Sequence, residues 1–245
     1  MKKAVLFFAV FVAAIPCVAR IITVDDDGPA DFSTIQAAID DANDGDTVLV
    51  VDGTYTGDGN RDIDFKGKAI TLHSENGPEN CIIDCQSLGR GFYFHTDETQ
   101  ESILDGFTII NGSAYYFPYV FSTGGAGIRC EYSSPTIRNN IIKWNGGFSG
   151  GGISCLYSRA TIMNNTIEQN NFPGAGGGLF AYDSELLVVN NTITGNRAES
   201  FGGGMVLWYC SARLINNIIA GNLVTDGNGG GIHCRNSSII IMSPL

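Results

Sequence analysis

The stretch "GGGISCLYSRATIMNNTIEQN", Gly150 to Asn170, occurs in four related versions, starting with "GAGIRCEYSSPTIRNNIIKWN" and ending with "GGGMVLWYCSARLINNIIAGN". Aligned on the apolar residue after the glycines, the four copies and a fifth glycine run register at Ile128, Ile153, Leu179, Met205 and Ile232, in steps of 25, 26, 26 and 27 residues. The second asparagine of each pair follows twelve residues on, at Asn140, Asn165, Asn191 and Asn217. Another follows five later, at Asn145, Asn170, Asn196 and Asn222. A fixed period with constant internal spacing marks a solenoid and outranks local signals.

Each period reads as short strands. Alternation after the glycines puts Ile128 with Cys130, Ile153 with Cys155, Leu179 with Ala181, Met205 with Leu207 and Ile232 with Cys234 on one face. A second apolar pair brackets the asparagines: Ile137 with Ile142, Ile162 with Ile167, Val188 with Ile193, and Leu214 or Ile215 with Ile219. β-Branched enrichment and frequent glycine oppose helix. Strands stacking coil on coil predict an all-β fold, a parallel β-helix. Asn140, Asn165, Asn191 and Asn217 then point inward and need partners. Equivalent residues lie ~4.8 Å apart, so their amides can form a structural ladder at a corner. The glycine runs lack the Lys-Ser/Thr and following helix of a phosphate loop, and serve as bends.

These residues carry a resemblance. Gly125 to Asn222 resembles the right-handed parallel β-helix families, the pectin-lyase-like superfamily broadly. The repeats Gly150-Gly151-Gly152-Ile153 and Ile167-Glu168-Gln169-Asn170 are similar to the GG-[AG]-[ILV] and [FI]-x-x-N repeats of polymorphic outer-membrane proteins. The usual phenylalanine of the second motif is isoleucine here, at Ile142, Ile167, Ile193 and Ile219.

The N-terminal part completes the predicted organisation. Residues 1–19 have the layout of a secretory signal peptide: Lys2 and Lys3, an apolar run, and small residues before Arg20. A single domain is expected over 20–245, secreted or at the cell surface. Ser33 and Gln36 form a capping-box pattern opening a helix over 33–44, whose apolar stripe is Ile35, Ala38, Ile39 and Ala42. That helix would cover the first coil, and less regular coils follow over 47–111. There Gly106 falls in the ladder position and Asn111 where Asn145 later sits. An aromatic loop occupies 112–123 and regular coils 124–245, the last incomplete, with Pro244 in the ladder position. Further coils or a partner chain are expected at that uncapped end.

Chemistry is harder to find. Loss of Lys2 and Lys3 takes the net charge from −11 to −13 (−11 − 2), which disfavours nucleic acid and anionic membranes. No other segment is apolar and long enough to span a bilayer. Six cysteines remain, Cys81, Cys85, Cys130, Cys155, Cys210 and Cys234, without zinc spacing. Cys130 and Cys155 are inward neighbours, expected as buried thiols, with a disulfide between them the alternative. Lyases and hydrolases of this superfamily place acids and bases on outward positions of neighbouring coils. Here those are Arg129 and Glu131, Ser154 and Leu156, Phe180 and Tyr182, Val206 and Trp208, His233 and Arg235; Glu131 stands alone. His95 to Glu101 reads as a solvated turn. No catalytic residue, metal site or cofactor is expected. The outward remainder, Leu156 and Tyr157 foremost, is left to act. Exposed aromatics can stack on sugar rings, which nominates Tyr115, Tyr116, Tyr119, Tyr157, Tyr182 and Trp208, beside Tyr132 and Tyr209. Tyrosine also suits strand exteriors. The expected function is a non-catalytic binding or structural module, adhesin-like, with a polysaccharide or cell-surface glycan as partner; the alternative is a polysaccharide lyase or glycoside hydrolase.

Overall fold

The computed structural model describes residues 18–114, 124–147 and 150–243. Residues 1–17 of the predicted signal peptide, Tyr115, Tyr116 and Tyr119 of the aromatic loop, and Pro244 lie outside the described residues. The chain winds into a right-handed parallel β-solenoid of about 8 turns. Among the described residues the strands form sheets of nine, six, seven and five members, every paired neighbour being the same strand of an adjacent turn. A regular turn visits each sheet once: Ile153–Leu156, Thr161–Met163, Thr166–Glu168 and Asn171–Phe172 belong to the six-, nine-, seven- and five-stranded sheets. Ile128 pairs with Ile153, and Ile153 with Leu179, so the sequence period is the register of the sheet.

Alternation sorts the side chains as expected. Ile153, Cys155, Ile162 and Ile167 are fully buried, as are their counterparts Leu179, Ala181, Val188 and Ile193. Leu214, not Ile215, takes the inward place in its turn. No apolar face could hold this stack of short strands unless the corners between them also closed without orphaned polar groups.

The two asparagines of each pair divide that work. Asn139, Asn164, Asn190 and Asn216 turn the chain with φ of 57°, 57°, 55° and 52°, a left-handed conformation asparagine tolerates. The next residue enters the core. Asn140 donates its backbone N–H and its Nδ2 to Asn165 Oδ1, at 3.0 and 3.1 Å. Asn165 donates Nδ2 back to the Ile137 carbonyl at 2.9 Å. The same bonds recur from Asn165 to Asn191 and from Asn191 to Asn217. A second, equivalent ladder runs through Asn145, Asn170, Asn196 and Asn222. A third corner uses hydroxyls: Ser158 N–H donates to Ser184 Oγ, and Ser158 Oγ to the Ser133 carbonyl.

Two predicted alignments shift by one residue. Lys143 pairs with Ile110, so Asn111 matches Trp144, and Gly112 is the residue that donates to Asn145 Oδ1. Arg138 pairs with Asp105, so Gly106 takes the left-handed position (φ 87°) and Phe107 the ladder position. In the glycine runs Gly150 supplies a positive φ of 66°, whereas a Cβ on Gly152 would lie 2.5 Å from the Gly178 carbonyl oxygen of the next turn.

Among the described residues the one α-helix is Ile35–Asp41, shorter than 33–44. It covers the first turn with Ile35, Ala38 and Ile39, all fully buried. The expected capping box is absent: Thr34 is the N-cap and makes no side-chain cap bond. Asn60 Oδ1, from the following turn, accepts the Ile35 N–H at 2.9 Å instead. Gln36 bonds Asp64 and Asp40.

Candidate functional site

Where the six-stranded sheet turns into the nine-stranded one, Tyr132, Tyr157, Asp183, Tyr209 and Asn236 hold the left-handed position, with φ of 52°, 52°, 46°, 58° and 51°. For a bulky residue this conformation costs of order 1 kcal/mol or more, and it turns the ring outward. Tyr132, Tyr157 and Tyr209 are 61%, 44% and 44% exposed. One residue earlier lies a different row: Glu131, Leu156, Tyr182, Trp208 and Arg235, in mutual register.

Four tyrosines from these two rows form a continuous chain. Tyr132 and Tyr157 stack with centroids 4.7 Å apart and planes 3° from parallel. Tyr182 stands edge-on to Tyr157 at 5.8 Å and to Tyr209 at 5.6 Å. Arg235 places its guanidinium carbon 5.9 Å from the Tyr209 ring centre. Burial and the neighbouring phenols push the Tyr157 hydroxyl above its ordinary pKa.

Beside the rings lies an open groove of about 510 Å³. Tyr157 and Tyr209 wall it; Asp183, Ser158 and Ser184 lie between them, and Arg159, Glu185 and Ser211 line its continuation. It runs into a second groove of about 370 Å³ over the nine-stranded sheet, which adds Thr161, Leu187 and Arg213. Of the nominated residues Tyr157 lines the groove, whereas Tyr182 packs between Tyr157 and Tyr209 and against the small core of Leu156, Phe180 and Val206. Asp183, which breaks the tyrosine row, went unnoticed in the sequence, although it holds the same place in its repeat as Tyr157.

Trp208 is not brought to this groove. It is half-buried, edge-on to Phe180 and Phe201. Leu156, Phe180 and Val206, expected on an open outer face, are 4%, 1% and 0% exposed and form a second small core with Ala175, Phe201 and Trp208. Leu156 is therefore not free to act. The outer face of that sheet becomes apolar because the segments carrying Ala175 and Phe201 bridge to one another across it.

Glu131, the one carboxylate on those outward positions, is held by a phenol and a guanidinium. Its Oε2 accepts from Tyr93 Oη at 2.7 Å and from Arg129 Nε and Nη2 at 3.1 and 3.0 Å. Partial burial pushes the Glu131 carboxyl up, but Tyr93 and Arg129 together hold it below the ordinary carboxylate value. The Arg129 side chain is only 3% exposed. His95 leaves the expected solvated turn to stack against Tyr93, centroids 4.1 Å apart, with Nε2 3.5 Å from Asp64 Oδ2. Arg90 places its guanidinium carbon 5.4 Å from the Tyr93 ring centre; burial, then the Arg129 charge, lower its pKa. A regular pattern search misses this group because Tyr93 and His95 precede the first glycine repeat.

The described cysteines are free thiols, with Cys130 and Cys155 paired in register and fully buried. No described helix is long and apolar enough to cross a membrane.

The sequence profile described as a right handed beta helix region matches residues 119–243, just over half of the chain. The chain belongs to that family. No curated protein matches it. Among solved structures it is similar to YbhC of Escherichia coli, at 14% identity over 96% of this chain and 75% of that one, TM-score 0.48. It is also similar to a rice weevil pectin methyl esterase, at 12% identity over 93% of this chain and 92% of that one, TM-score 0.41.

Proposed function

We propose that this chain is an exported, non-catalytic β-helix that binds cell-surface or extracellular glycans at its tyrosine corner. The observation that carries this reading is the open groove walled by Tyr157 and Tyr209. Tyrosine rings offer apolar faces to sugar rings, and the Asp183 carboxylate beside them suits sugar hydroxyls. The left-handed backbone under both tyrosines supports it further, because strain of that kind gathers at functional positions. Affinity electrophoresis against a panel of polysaccharides tests it. At least one glycan retards the parent protein, and Tyr157→Ala or Tyr209→Ala removes the retardation. Binding that survives in both variants places the site elsewhere.

A second reading, a carbohydrate-active enzyme, draws support from the Tyr93–Glu131–Arg129 assembly and the neighbouring His95–Asp64 pair. An ionised carboxylate beside an arginine and an imidazole is the kind of group that moves protons. Incubation with uronate and neutral polysaccharides, with and without calcium, separates the two readings. New unsaturated or reducing ends that disappear in Glu131→Gln would establish the enzyme.

A further inference from the structure

We propose that proteolysis between Ala19 and Arg20 creates an α-ammonium group that the buried Asp46 carboxylate receives, so that processing locks the first turn of the solenoid. The proposal rests on the exported half of the reading above and is independent of glycan binding. In the step, water cleaves the Ala19–Arg20 peptide bond. Its oxygen joins the Ala19 carboxylate, and its two protons convert the Arg20 amide N–H into an ammonium. The enzyme required is a peptidase that accepts small residues on the leader side.

Arg20 is where the chain enters the fold. Val18 and Ala19 are exposed and belong to no strand, so a peptidase can reach the bond that follows them. Cys17 and Ala19 supply the small residues such an enzyme reads. Arg20, in contrast, is fixed at both ends of its backbone. Its carbonyl accepts the Thr47 N–H at 2.9 Å, and Ile21, the next residue, pairs with Thr47 to open the first ladder. Its own nitrogen donates to Asp46 Oδ1 at 3.0 Å. That nitrogen is the atom cleavage would charge.

Asp46 is only 1% exposed. Its Oδ2 accepts Arg20 Nε and the Asn43 N–H, each at 2.9 Å, and the Arg20 guanidinium reaches on to the Asp41 carboxylate at 2.9 Å. Burial pushes the Asp46 carboxyl up, but the Asn43 and Arg20 N–H groups and the guanidinium together hold it below its ordinary value. Before cleavage, then, two carboxylates share one guanidinium. Afterwards they face two cations, and Oδ1 meets a full charge where it met a neutral amide; a charge-assisted bond is roughly twice as strong. Two other charges lie near. Asp31 is held low by Thr23 and, more weakly, by the Arg20 charge, and Lys68 spends its Nζ on the Ile39, Asp40 and Ala42 carbonyls at the helix end. Neither competes for Asp46. An amine so placed has its folded pKa raised. Its contribution is complete below the unfolded value of about 7.7–8.0 and is lost as pH rises through the folded one.

Expression of the full chain in a host with a general secretory pathway, followed by mass analysis of the N-terminal peptide, is expected to give an exported protein that begins at Arg20. Competitive labelling with trace acetic anhydride across pH then reads its α-amine. That amine should titrate at least about one unit above the ordinary 7.7, a tenfold gain in proton affinity. A chain begun at Ala19 by cleavage of a tag restores the Arg20 amide and keeps every other contact, so its amine should shift by less than about 0.5 units. Asp46→Asn should remove most of the shift from the Arg20 form, with circular dichroism confirming the fold, whereas Asp41→Asn should keep most of it. The Arg20 form should melt above the Ala19 form at pH 7, and the gap should close by about pH 10. A chain that stays inside the cell with its leader attached overturns both the proposal and the exported reading. An exported chain with another first residue, or an Arg20 amine that titrates at the ordinary value, overturns the lock and leaves export standing.

Discussion

At the scale of single residues, neighbours of identical type do unlike jobs. Asn164 is exposed and shapes the backbone, with φ 57°; Asn165 is 1% exposed and closes the core. Asparagine suits the first place because it enters the left-handed region at little cost, so Asn164→Gly is expected to change stability by less than about 0.5 kcal/mol. Asn165→Leu keeps the branching and the number of heavy atoms but removes the acceptor for the Asn140 N–H and the donor to the Ile137 carbonyl. Each buried orphan costs about 1–3 kcal/mol, so a loss of about 3 kcal/mol is expected from urea unfolding. Equal losses in the two variants would contradict the division of labour. The same contrast separates the tyrosines: Tyr157 is a surface ring on a left-handed residue, whereas Tyr182, one residue earlier in its own repeat, is half-buried against its neighbours.

At the scale of elements, local signals and long-range ones part company. The alternation of Ile153 with Cys155 and the twelve-residue offset to Asn165 are properties of a turn that repeats, so strands, register and ladder could be read from the sequence. Ser33 and Gln36 also gave a good local signal, yet Asn60, twenty-five residues away, caps the helix. A cap supplied by the next turn leaves no local trace. Ser33→Ala should therefore be silent, while Asn60→Ala should cost about 1–2 kcal/mol by leaving the Ile35 N–H unpaired. The one-residue slip at Gly106 and Asn111 has a similar origin: without a second asparagine or a glycine run, nothing local fixes the register. The groove was legible only in its aromatic members, because Asp183 joins Tyr157 and Tyr209 through coil stacking alone. The Tyr93 partner of Glu131 was hidden for the same reason, lying one turn back. Its folded pKa is depressed, so its contribution is present above the unfolded value of about 4.3 and fades as pH falls through the lower folded value. The melting temperature of Glu131→Gln should lie below that of the parent at pH 7, and the gap should close as pH approaches about 3. A gap that widens on acidification would rule out an ionised Glu131.

At the scale of the whole molecule, each turn touches only its neighbours, so stability is a chain of local terms rather than one shared core. The two ends are unequal. The first turn is covered by Ile35–Asp41, while in the last described turn Ile218, Leu223, Ile240 and Ile241 are 61%, 53%, 53% and 68% exposed. In a chain of residues 20–245, opening should therefore begin at this turn and spread inward, since among the described residues its strands bond on one side only. The cysteines report this without any added probe. Cys234 is exposed, Cys210 is 4% exposed one turn inward, and Cys155 and Cys130 are fully buried further in. Burial also raises the thiol pKa of Cys210 to about 11 and that of Cys130 well above its ordinary value, so neither reacts while folded. Treatment of the chain from Arg20 onward with a thiol reagent at neutral pH should modify Cys234 at once. Cys210 should follow at the rate at which the last turns fray, and Cys155 and Cys130 only with unfolding of the central turns. Peptide mapping of modified cysteines against time reads that order directly. Simultaneous reaction of Cys210, Cys155 and Cys130 would mean that the solenoid opens as one unit, and that coupling between turns exceeds the differences among them.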